Sequence, residues 1–289
     1  QVPDLPFYRL RFSVPEPQPL VSLIIPTRDR VDLLERAVGS ILEKTTYANY
    51  EILIVDNGST DPRTLAYLRD IEGDSRVRLL RYEHPFNYSA INNYAAGHAR
   101  GEILGLINND VEVITPDWLT EMVSWAVQPD IGCVGAKLYY PNDTIQHAGV
   151  ILGIGGVAGH SHKYFPRSSN GYFSRLRLVQ NLSAVTAACL LVRNDVFRQV
   201  GGLEETNLKI AFNDVDLCLK VRNSGLANVW TPFAELYHHE SPSRGTEDDP
   251  AKIRRFNREA DYMKGKWDLC DPFYSRNLTL RHENFSLSD

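Results

Sequence analysis

Three short polar clusters each follow an apolar run in the first 110 residues of the chain. The clusters are Thr27-Arg28-Asp29, Asp56-Asn57 and Asn108-Asn109-Asp110. The carboxylate of the last cluster, Asp110, could hold a divalent cation that bridges phosphate oxygens, because hard cations prefer oxygen ligands and keep positions open for substrate. The ordinary alternative is a turn that ends a strand, for which Asn and Asp are common.

Two later segments carry side chains that could take part in the same chemistry. In FNDVD (212–216), Asp214 could act as a general base that takes a proton from an attacking hydroxyl. Aspartates at a helix start also cap the helix and favour its dipole, and Asp216 fits that structural role better than Asp214 does. In YHHES (237–241), His238 or His239 could complete the coordination of a cation held by Asp110, and two ordinary loop histidines are the alternative.

The glycine-rich stretch GIGGVAG (153–159) imitates a dinucleotide-binding loop. A histidine-rich GHSH segment follows it instead of a clear helix, and no acidic residue ends a second strand about 20 residues on. We therefore interpret it as a loop over a site. His147, His160 and His162 lack the tight spacing and the cysteines of a structural zinc site, and we interpret them as loop or acceptor-side residues.

The hydrophobic pattern predicts the elements that position the three clusters. Strands are predicted at 21–27, 50–56, 77–83 and 102–110, and helices at 30–44, 61–72 and 88–99. Strands and helices that alternate at this spacing predict an α/β fold with a parallel, doubly wound sheet. Ligands bind beyond the carboxyl ends of the strands in such sheets, so the three clusters should share one edge.

The second half of the chain is less regular. Strands are predicted at 132–140, 182–193 and 228–232, and helices at 195–202 and 214–225. The first 20 residues form a proline-rich, extended lead-in, and the segment from 250 starts as a helix and continues as an extended, turn-rich tail.

Composition narrows the function classes. A net charge of −5 and a pI near 5.9 argue against a nucleic-acid partner bound through a basic face. No apolar run reaches the roughly 18 residues of a membrane helix.

The four cysteines lie far apart, which suggests that they are buried small hydrophobic residues in a reducing compartment, although disulfides remain an alternative. The chain begins at Gln1 and shows no signal peptide, which suggests a processed product or a piece of a longer chain.

Six segments in order resemble the family 2 glycosyltransferases, which adopt the GT-A fold. The segments are SLIIPTRDR, EILIVDNGST, NYSAINNYAAGHARGEILGLINND, TAACLLVR, FNDVDLCLKVRNSG and AELYHHESPSRG. The resemblance covers about residues 20 to 245 and is closest to the bacterial branch that builds O-antigen, capsule and other surface polysaccharides, often as modules of longer chains. It implies a GT-A domain over 21–249, with a nucleotide-binding half (21–110) and a mixed acceptor and catalytic half (111–249), and a C-terminal helix and tail (250–289) packed on it.

The resemblance also implies a role for individual residues. It assigns Thr27, Arg28, Asp29, Asp56, Asn92 and Asn109 to the nucleotide, Asp110 with His238 or His239 to Mn²⁺ or Mg²⁺, and Asp214 to catalysis as the base. Asp56 would accept hydrogen bonds from the nucleobase. The family's DxD motif reads Asn-Asn-Asp here and its Glu-Asp motif reads Asn-Asp, which should weaken metal affinity and keeps an inactive, glycan-binding relative open.

The implied reaction is inverting transfer from a UDP- or dTDP-linked sugar to a hydroxyl of a growing glycan or lipid-linked glycan. The implied location is the cytoplasm, with peripheral attachment to the inner face of the cytoplasmic membrane as a further expectation. A sugar nucleotidyltransferase is a second alternative, although PTRDR lacks the glycine that usually follows the first strand of that class. The aromatic residues of the 153–175 loop suggest a lid or an acceptor platform.

Overall fold

A computed structural model describes residue 2 and residues 6–239 and 249–288. The strands are β1 (Val21–Thr27), β2 (Tyr50–Asp56), β3 (Val77–Arg81), β4 (Ile103–Ile107), β5 (Val111–Val113), β6 (Ile131–Tyr139), β7 (Ile145–His147), β8 (Val150–Leu152), β9 (Ala158–His160), β10 (Gln180–Leu182), β11 (Cys189–Arg193) and β12 (Ala227–His238). The α-helices are α1 (Val31–Lys44), α2 (Pro62–Ile71), α3 (Tyr88–His98), α4 (Trp118–Ala126), α5 (Asn194–Gln199), α6 (Asn213–Asn223) and α7 (Pro250–Lys266).

One large sheet organises the molecule, in the order β10-β12-β6-β11-β4-β1-β2-β3. The strands β3, β2, β1 and β4 are mutually parallel, which confirms the predicted α/β class and the doubly wound first half. β11 runs antiparallel to both β4 and β6, and β6 is parallel to β12. The carboxyl ends of β4, β6 and β12 therefore lie at the same edge as the beginning of β11.

The parallel half forms because its strands are apolar on both faces. Every residue of β1, β2 and β4 is buried, as expected for strands covered by helices on both sides. Helix α1 turns Leu34, Val38 and Ile41 towards the sheet, at the spacing of one helical face.

Two strand predictions in the second half were wrong in their bounds. The strand predicted at 182–193 is two strands, β10 and β11, because backbone N–H groups between them donate to side chains instead of a sheet ladder: Thr186 N–H to His147 Nε2 and Ala187 N–H to Asp214 Oδ2. The strand predicted at 228–232 continues as β12 to His238. An irregular register between Trp230 and Glu235 spans Pro232, which has no N–H to donate to the ladder.

The GIGGVAG segment connects β8 to β9 as a hairpin that contains a short 3₁₀ turn, Ile154–Gly156. A dinucleotide-binding loop leads from a strand into a helix, so this geometry agrees with rejecting that function. All four cysteines are free thiols. Cys133, Cys189 and Cys218 are buried, but Cys270 is exposed, which corrects the expectation that all four are buried.

The lead-in and the end of α7 both contact helices of the domain. Asp216 on α6 is fully buried, and its Oδ1 lies 2.7 Å from Lys266 Nζ and 2.8 Å from Trp267 Nε1. In the lead-in, Arg9 donates to Glu121 on α4 over 2.6 Å. No helix within the described ranges is long and apolar enough to cross a membrane.

Candidate functional site

The three polar clusters meet at one edge of the sheet. Thr27 and Asp56 are paired at the ends of the neighbouring strands β1 and β2. Asn109, which follows β4, donates from Nδ2 to Thr27 Oγ1 over 3.1 Å. The parallel register thus brings together side chains that are more than 80 residues apart in the sequence.

Asp56 lies fully buried at the end of β2. Its Oδ1 accepts from the Ser59 backbone N–H over 2.9 Å, and its Oδ2 pairs with Arg81 from the end of β3. Gly58 has a φ of 74°, a conformation that favours glycine, and this lets the turn fold back onto the carboxylate. The turn and Arg81 hold Asp56 in place at the edge of the site.

Asp29, which follows β1, hydrogen-bonds to the same turn at residues 59–61. Its Oδ1 accepts from the backbone N–H groups of Thr60 and Asp61 over 2.7 and 2.8 Å, and its own N–H donates to Ser59 Oγ. Asp29 has a φ of 51°, in the left-handed region that non-glycine residues seldom adopt. Arg28, next to it, is exposed at this edge.

Asn92 lies inside the first turns of α3. It is fully buried, and its Nδ2 donates to the Tyr88 carbonyl over 2.8 Å. The Asn92 side chain is thus enclosed by the protein, and its nucleotide-facing role stays a prediction.

Asp110 and His238 form the candidate metal centre. His238 Nε2 lies 3.0 Å from Asp110 Oδ1, and both side chains are nearly buried. His238 Nδ1 lies 2.7 Å from Gln146 Oε1 on β7, and its Nε2 lies 3.1 Å from Asn108 Nδ2. A proton on Nδ1, donated to Gln146, would leave the lone pair of Nε2 for a cation.

His239 points in a different direction, because successive side chains of an extended strand alternate. Its Nε2 lies 2.9 Å from Glu112 Oε2 on β5, and Arg36 on α1 lies 3.3 Å from its Nδ1. Only its backbone touches the candidate metal centre, through a 2.8 Å bond from its N–H to the Asp110 carbonyl. Of the two histidines, the structure brings His238 to Asp110.

The residues of this centre fit a divalent cation. A carboxylate oxygen and an imidazole nitrogen face each other within reach of one ion, and Gln146 can accept the Nδ1 proton of the tautomer that coordinates through Nε2. No group of three or more His, Cys, Asp or Glu side chains suited to a metal occurs among the described residues. Asp110 and His238 could supply two ligands to such an ion, and substrate oxygens and water could fill other positions.

Asp214 stands in the first turn of α6 with a half-buried side chain. Its Oδ2 accepts from Thr186 Oγ1 and from the Ala187 N–H, both over 3.0 Å, and its Oδ1 from the Val215 N–H over 2.8 Å. Thr186 and Ala187 immediately precede β11, which begins at the same sheet edge as the three clusters. This arrangement orients a carboxylate that could accept a proton.

Tyr88 joins the two parts of the site. Its hydroxyl lies 3.3 Å from Asn108 Oδ1 and 3.2 Å from the Ala187 carbonyl. The hydrogen bonds thus run from the candidate metal centre through Tyr88 to the peptide segment that holds Asp214. Tyr88, Gln146 and Thr186 were missed by sequence analysis, since none of them belongs to a motif with a chemical role of its own.

A pair of histidines lies behind this network. His147 on β7 is fully buried, its Nδ1 lies 2.8 Å from His160 Nδ1, and its Nε2 accepts from the Thr186 N–H over 3.4 Å. Burial, together with the proximity of His160 and His238, holds the pKa of His147 well below its usual range. His147 is therefore neutral, and it supports the backbone of Thr186.

Comparison with known proteins identifies the relatives of the chain. A protein of Sinorhizobium fredii with no assigned function is 58% identical over 289 residues, which cover 98% of this chain and 32% of the relative. The O-antigen biosynthesis protein RfbC of Myxococcus xanthus is 42% identical over 281 residues, which cover 94% of this chain and 21% of the relative. The chain thus spans about a third or less of the length of these two relatives.

The fold has solved counterparts. A mannosyltransferase from Pyrobaculum calidifontis, solved with GDP-Man and Mn²⁺, superposes with a TM-score of 0.64 at 18% identity, over 90% of this chain and 69% of that one. This likeness confirms the predicted GT-A architecture. Glycosyl transferase family 2 matches residues 22–201, which is more than half of the chain. The chain belongs to glycosyl transferase family 2.

Proposed function

We propose that the chain catalyses inverting transfer of a sugar from a UDP- or dTDP-linked donor to a hydroxyl of a growing glycan. One observation carries this proposal: Asp214 and the Asp110–His238 pair lie at one sheet edge and are joined through Tyr88. A proton acceptor and a candidate cation site on one edge are what a single displacement at a sugar–phosphate bond requires.

The nucleotide would lie along the ends of β1, β2 and β4. Thr27 and Asn109 offer a hydroxyl and an amide at the floor of this edge, and Arg28 offers an exposed cation. Asp56 is fully buried, so it would accept from the nucleobase once the partly exposed Arg81 side chain moves aside. Asp29 holds the adjoining turn in shape.

Asp110 and His238 would hold Mn²⁺ or Mg²⁺, which when bound stabilises the negative charge of the leaving diphosphate. Gln146 orients the imidazole for this role. Glu112 and Arg36 engage the side chain of His239, which supports His238 as the ligand.

Asp214 would take the proton of the acceptor hydroxyl as that oxygen attacks the anomeric carbon from the face opposite the diphosphate. The C–O bond to the acceptor forms as the bond to the diphosphate breaks, so one displacement inverts the anomeric centre. Thr186 and Ala187 keep the carboxylate oriented during this step.

The biological setting we propose is synthesis of a bacterial surface polysaccharide, in the cytoplasm and at the inner face of the cytoplasmic membrane. The similarity to an O-antigen biosynthesis protein supports this setting. The acceptor would then be a glycan or lipid-linked glycan, and other domains of a longer chain would be partners, since the two relatives are three to five times as long as this chain.

Thermal unfolding in the presence of nucleotide sugars tests the donor and the cation together. We expect UDP- or dTDP-sugars to raise the unfolding temperature with Mn²⁺ present, since ligand binding stabilises the folded state by the logarithm of its saturation. Asp110→Asn should abolish the Mn²⁺-dependent part of this shift, and Asp32→Asn, on the exposed side of α1, is the matched control. A shift that is the same with Asp110→Asn would remove Asp110 from the cation site.

A further inference from the structure

The hairpin formed by β8 and β9 brings His160 close to the segment that contacts Asp214. His160 ends β9 and is paired with Val150 on β8. Val150 forms a bridge with Ala184, and its N–H donates to the Ala184 carbonyl over 3.0 Å. Ala184 lies two residues before Thr186, so the backbone holds the hairpin in a defined register against this segment.

The contacts of His147 determine which of its ring nitrogens carries the proton. Its Nε2 accepts from the Thr186 backbone N–H over 3.4 Å, and a backbone N–H can only donate. Burial, together with the proximity of His160 and His238, holds the pKa of His147 well below its usual range, so the ring is neutral. A neutral imidazole carries one N–H, and in His147 that proton therefore lies on Nδ1.

His160 is the acceptor for this N–H. The Nδ1 atoms of His147 and His160 are 2.8 Å apart, so the first donates and the second accepts. A neutral His160 can accept at Nδ1 while its own proton lies on Nε2. A doubly protonated His160 would turn a second N–H towards the first and replace an attraction by a repulsion. The hydrogen bond between the two rings therefore requires a neutral His160.

A change of charge is open to His160 and closed to the buried histidines beside it. His160 is half-exposed, whereas His147 is fully buried. His162 is also buried, and burial together with the nearby Arg175 and Lys137 lowers its pKa to about 3. Histidine is the side chain whose charge ordinarily changes between about pH 5 and 8.

Charged side chains from the C-terminal segment pack against the same hairpin. Glu283 Oε1 lies beside Gly159, and Lys264 Nζ lies beside Gly156. Asp271 accepts from the Leu152 N–H over 2.8 Å. The carboxylates favour the charged form of His160, whereas Lys264 and the hydrogen bond from His147 favour the neutral form.

We propose that His160 is a positioning residue for Asp214. By accepting from His147, His160 fixes the tautomer whose Nε2 holds the Thr186 backbone, and it withdraws this support when it gains a proton. Thr186 in turn donates its hydroxyl to Asp214 Oδ2 over 3.0 Å. This inference rests on the proposed function, because it concerns the orientation of the proposed base.

Two variants of nearly the same shape test the hydrogen bond. His160→Asn keeps an acceptor oxygen near the place of Nδ1 and cannot become charged, and His160→Leu has the same branching without an acceptor. At pH 8 we expect Asn to keep kcat within about twofold and Leu to lower it by about fivefold, the equivalent of one hydrogen bond between neutral groups. The KM for the donor should stay unchanged in both variants. Equal kcat of the two variants at this pH would overturn the proposal.

The pH dependence separates positioning from packing. At about pH 5.5 the unmodified chain should have lost the support of His160, so its kcat should approach that of His160→Leu. His160→Asn should then exceed the unmodified chain by up to about fivefold. Other titrating groups are common to these chains, and the ratio of their rates removes them. A ratio of Asn to unmodified chain that stays constant from about pH 5.5 to 8 would contradict the proposal.

A matched control shows whether any histidine replacement gives this profile. His98 is an exposed histidine at the last residue of α3. The rates of His98→Asn should follow those of the unmodified chain at each pH. The same acid-side gain in His98→Asn would remove the effect from His160.

Nitrogen NMR of the imidazole rings distinguishes failure of this inference from failure of the proposed function. At pH 8, His147 should show a protonated Nδ1 and an unprotonated Nε2, with its signals assigned through their loss in His147→Gln. On acidification the unmodified chain should lose this tautomer, and His160→Asn should retain it. A proton on Nε2 of His147 at pH 8 would overturn the inference whether or not transfer occurs. The expected tautomers without transfer by any of the chains would support the role of His160 towards His147 and contradict the proposed function.

Discussion

At the scale of single residues, the orientation of Asp214 depends on side chains that lie far away in the sequence. Thr186 donates to its Oδ2 from 28 residues upstream, and His147 supports the Thr186 backbone from 39 residues upstream. The motif FNDVD suggested Asp214 as a base or a helix cap, and the resemblance to the family 2 glycosyltransferases assigned it the role of base, which stays a prediction. The residues that hydrogen-bond to Asp214 could not be predicted. Thr186 and Ala187 reach this edge because β11 runs antiparallel to its neighbours and therefore begins there.

Thr186 can be tested with two variants of nearly the same size. Thr186→Val keeps the shape and removes the hydroxyl donor, and Thr186→Ser keeps the donor. We expect Val to lower kcat by about tenfold, the equivalent of one hydrogen bond to a charged group, with the KM for the donor unchanged. Ser should restore most of the rate.

A loss of rate that is equal in Val and Ser would assign Thr186 to packing alone. A rise in donor KM without a change in kcat would place it at the nucleotide instead of the base. Steady-state kinetics with the donor varied at a fixed acceptor concentration distinguishes these results.

At the scale of elements, α7 positions the segment that carries Asp214. Glu259 is almost fully buried, and its carboxylate accepts from the backbone N–H groups of Lys209, Ile210 and Ala211. A buried carboxylate with three backbone donors fixes both the helix and the segment that it contacts. Helix α7 therefore supports the segment that precedes Asp214.

Replacing one carboxylate oxygen of Glu259 should weaken the contact between α7 and residues 209–211. Glu259→Gln leaves one backbone donor facing an amide N–H₂ group, so we expect the free energy of unfolding to fall by about 1–3 kcal/mol. Asp261→Asn, an exposed position on the same helix, should change it by less than about 0.5 kcal/mol. Urea unfolding measures both, and equal stability of the two variants would contradict the account.

The first half of the elements could be predicted from the sequence, and much of the second half could not. β1, β2 and β4 are continuous apolar runs that alternate with amphipathic helices, so periodicity identified them. β5, β7, β8, β9 and β10 have three residues each, too few for any period to show. β12 continues past Pro232 because its pairing with β6 is irregular between Trp230 and Glu235. That irregularity depends on the neighbouring strand, so the residues of β12 alone do not predict it.

At the scale of the whole molecule, one buried cation affects stability. Lys137 on β6 is 3% exposed and donates to the Leu176 carbonyl over 3.1 Å. Burial lowers its pKa from 10.5 to about 8. The folded protein therefore loses this proton at a lower pH than the unfolded chain, and between pH 8 and 10.5 the unfolded chain binds more protons.

This difference predicts a pH dependence with a definite sign. The contribution of Lys137 to folding should become more favourable as the pH rises through that window, by about 3 kcal/mol in total. Relative to the Lys137→Met variant, the unmodified chain should thus gain stability between pH 7.5 and 10. The exposed Lys264→Met variant should show no such difference from the unmodified chain in chemical unfolding at each pH. A constant gap between the unmodified chain and Lys137→Met would contradict the sign.

The central claim is that Asp214 is the base of a single displacement, and Asp214→Asn tests it most directly. Amide replacement keeps the shape of the side chain and removes its ability to take a proton. We expect transfer to fall by roughly 10²–10⁴-fold, the usual contribution of a positioned general base, while calorimetric binding of the nucleotide sugar with Mn²⁺ stays within about twofold. Retained turnover in Asp214→Asn would contradict the account.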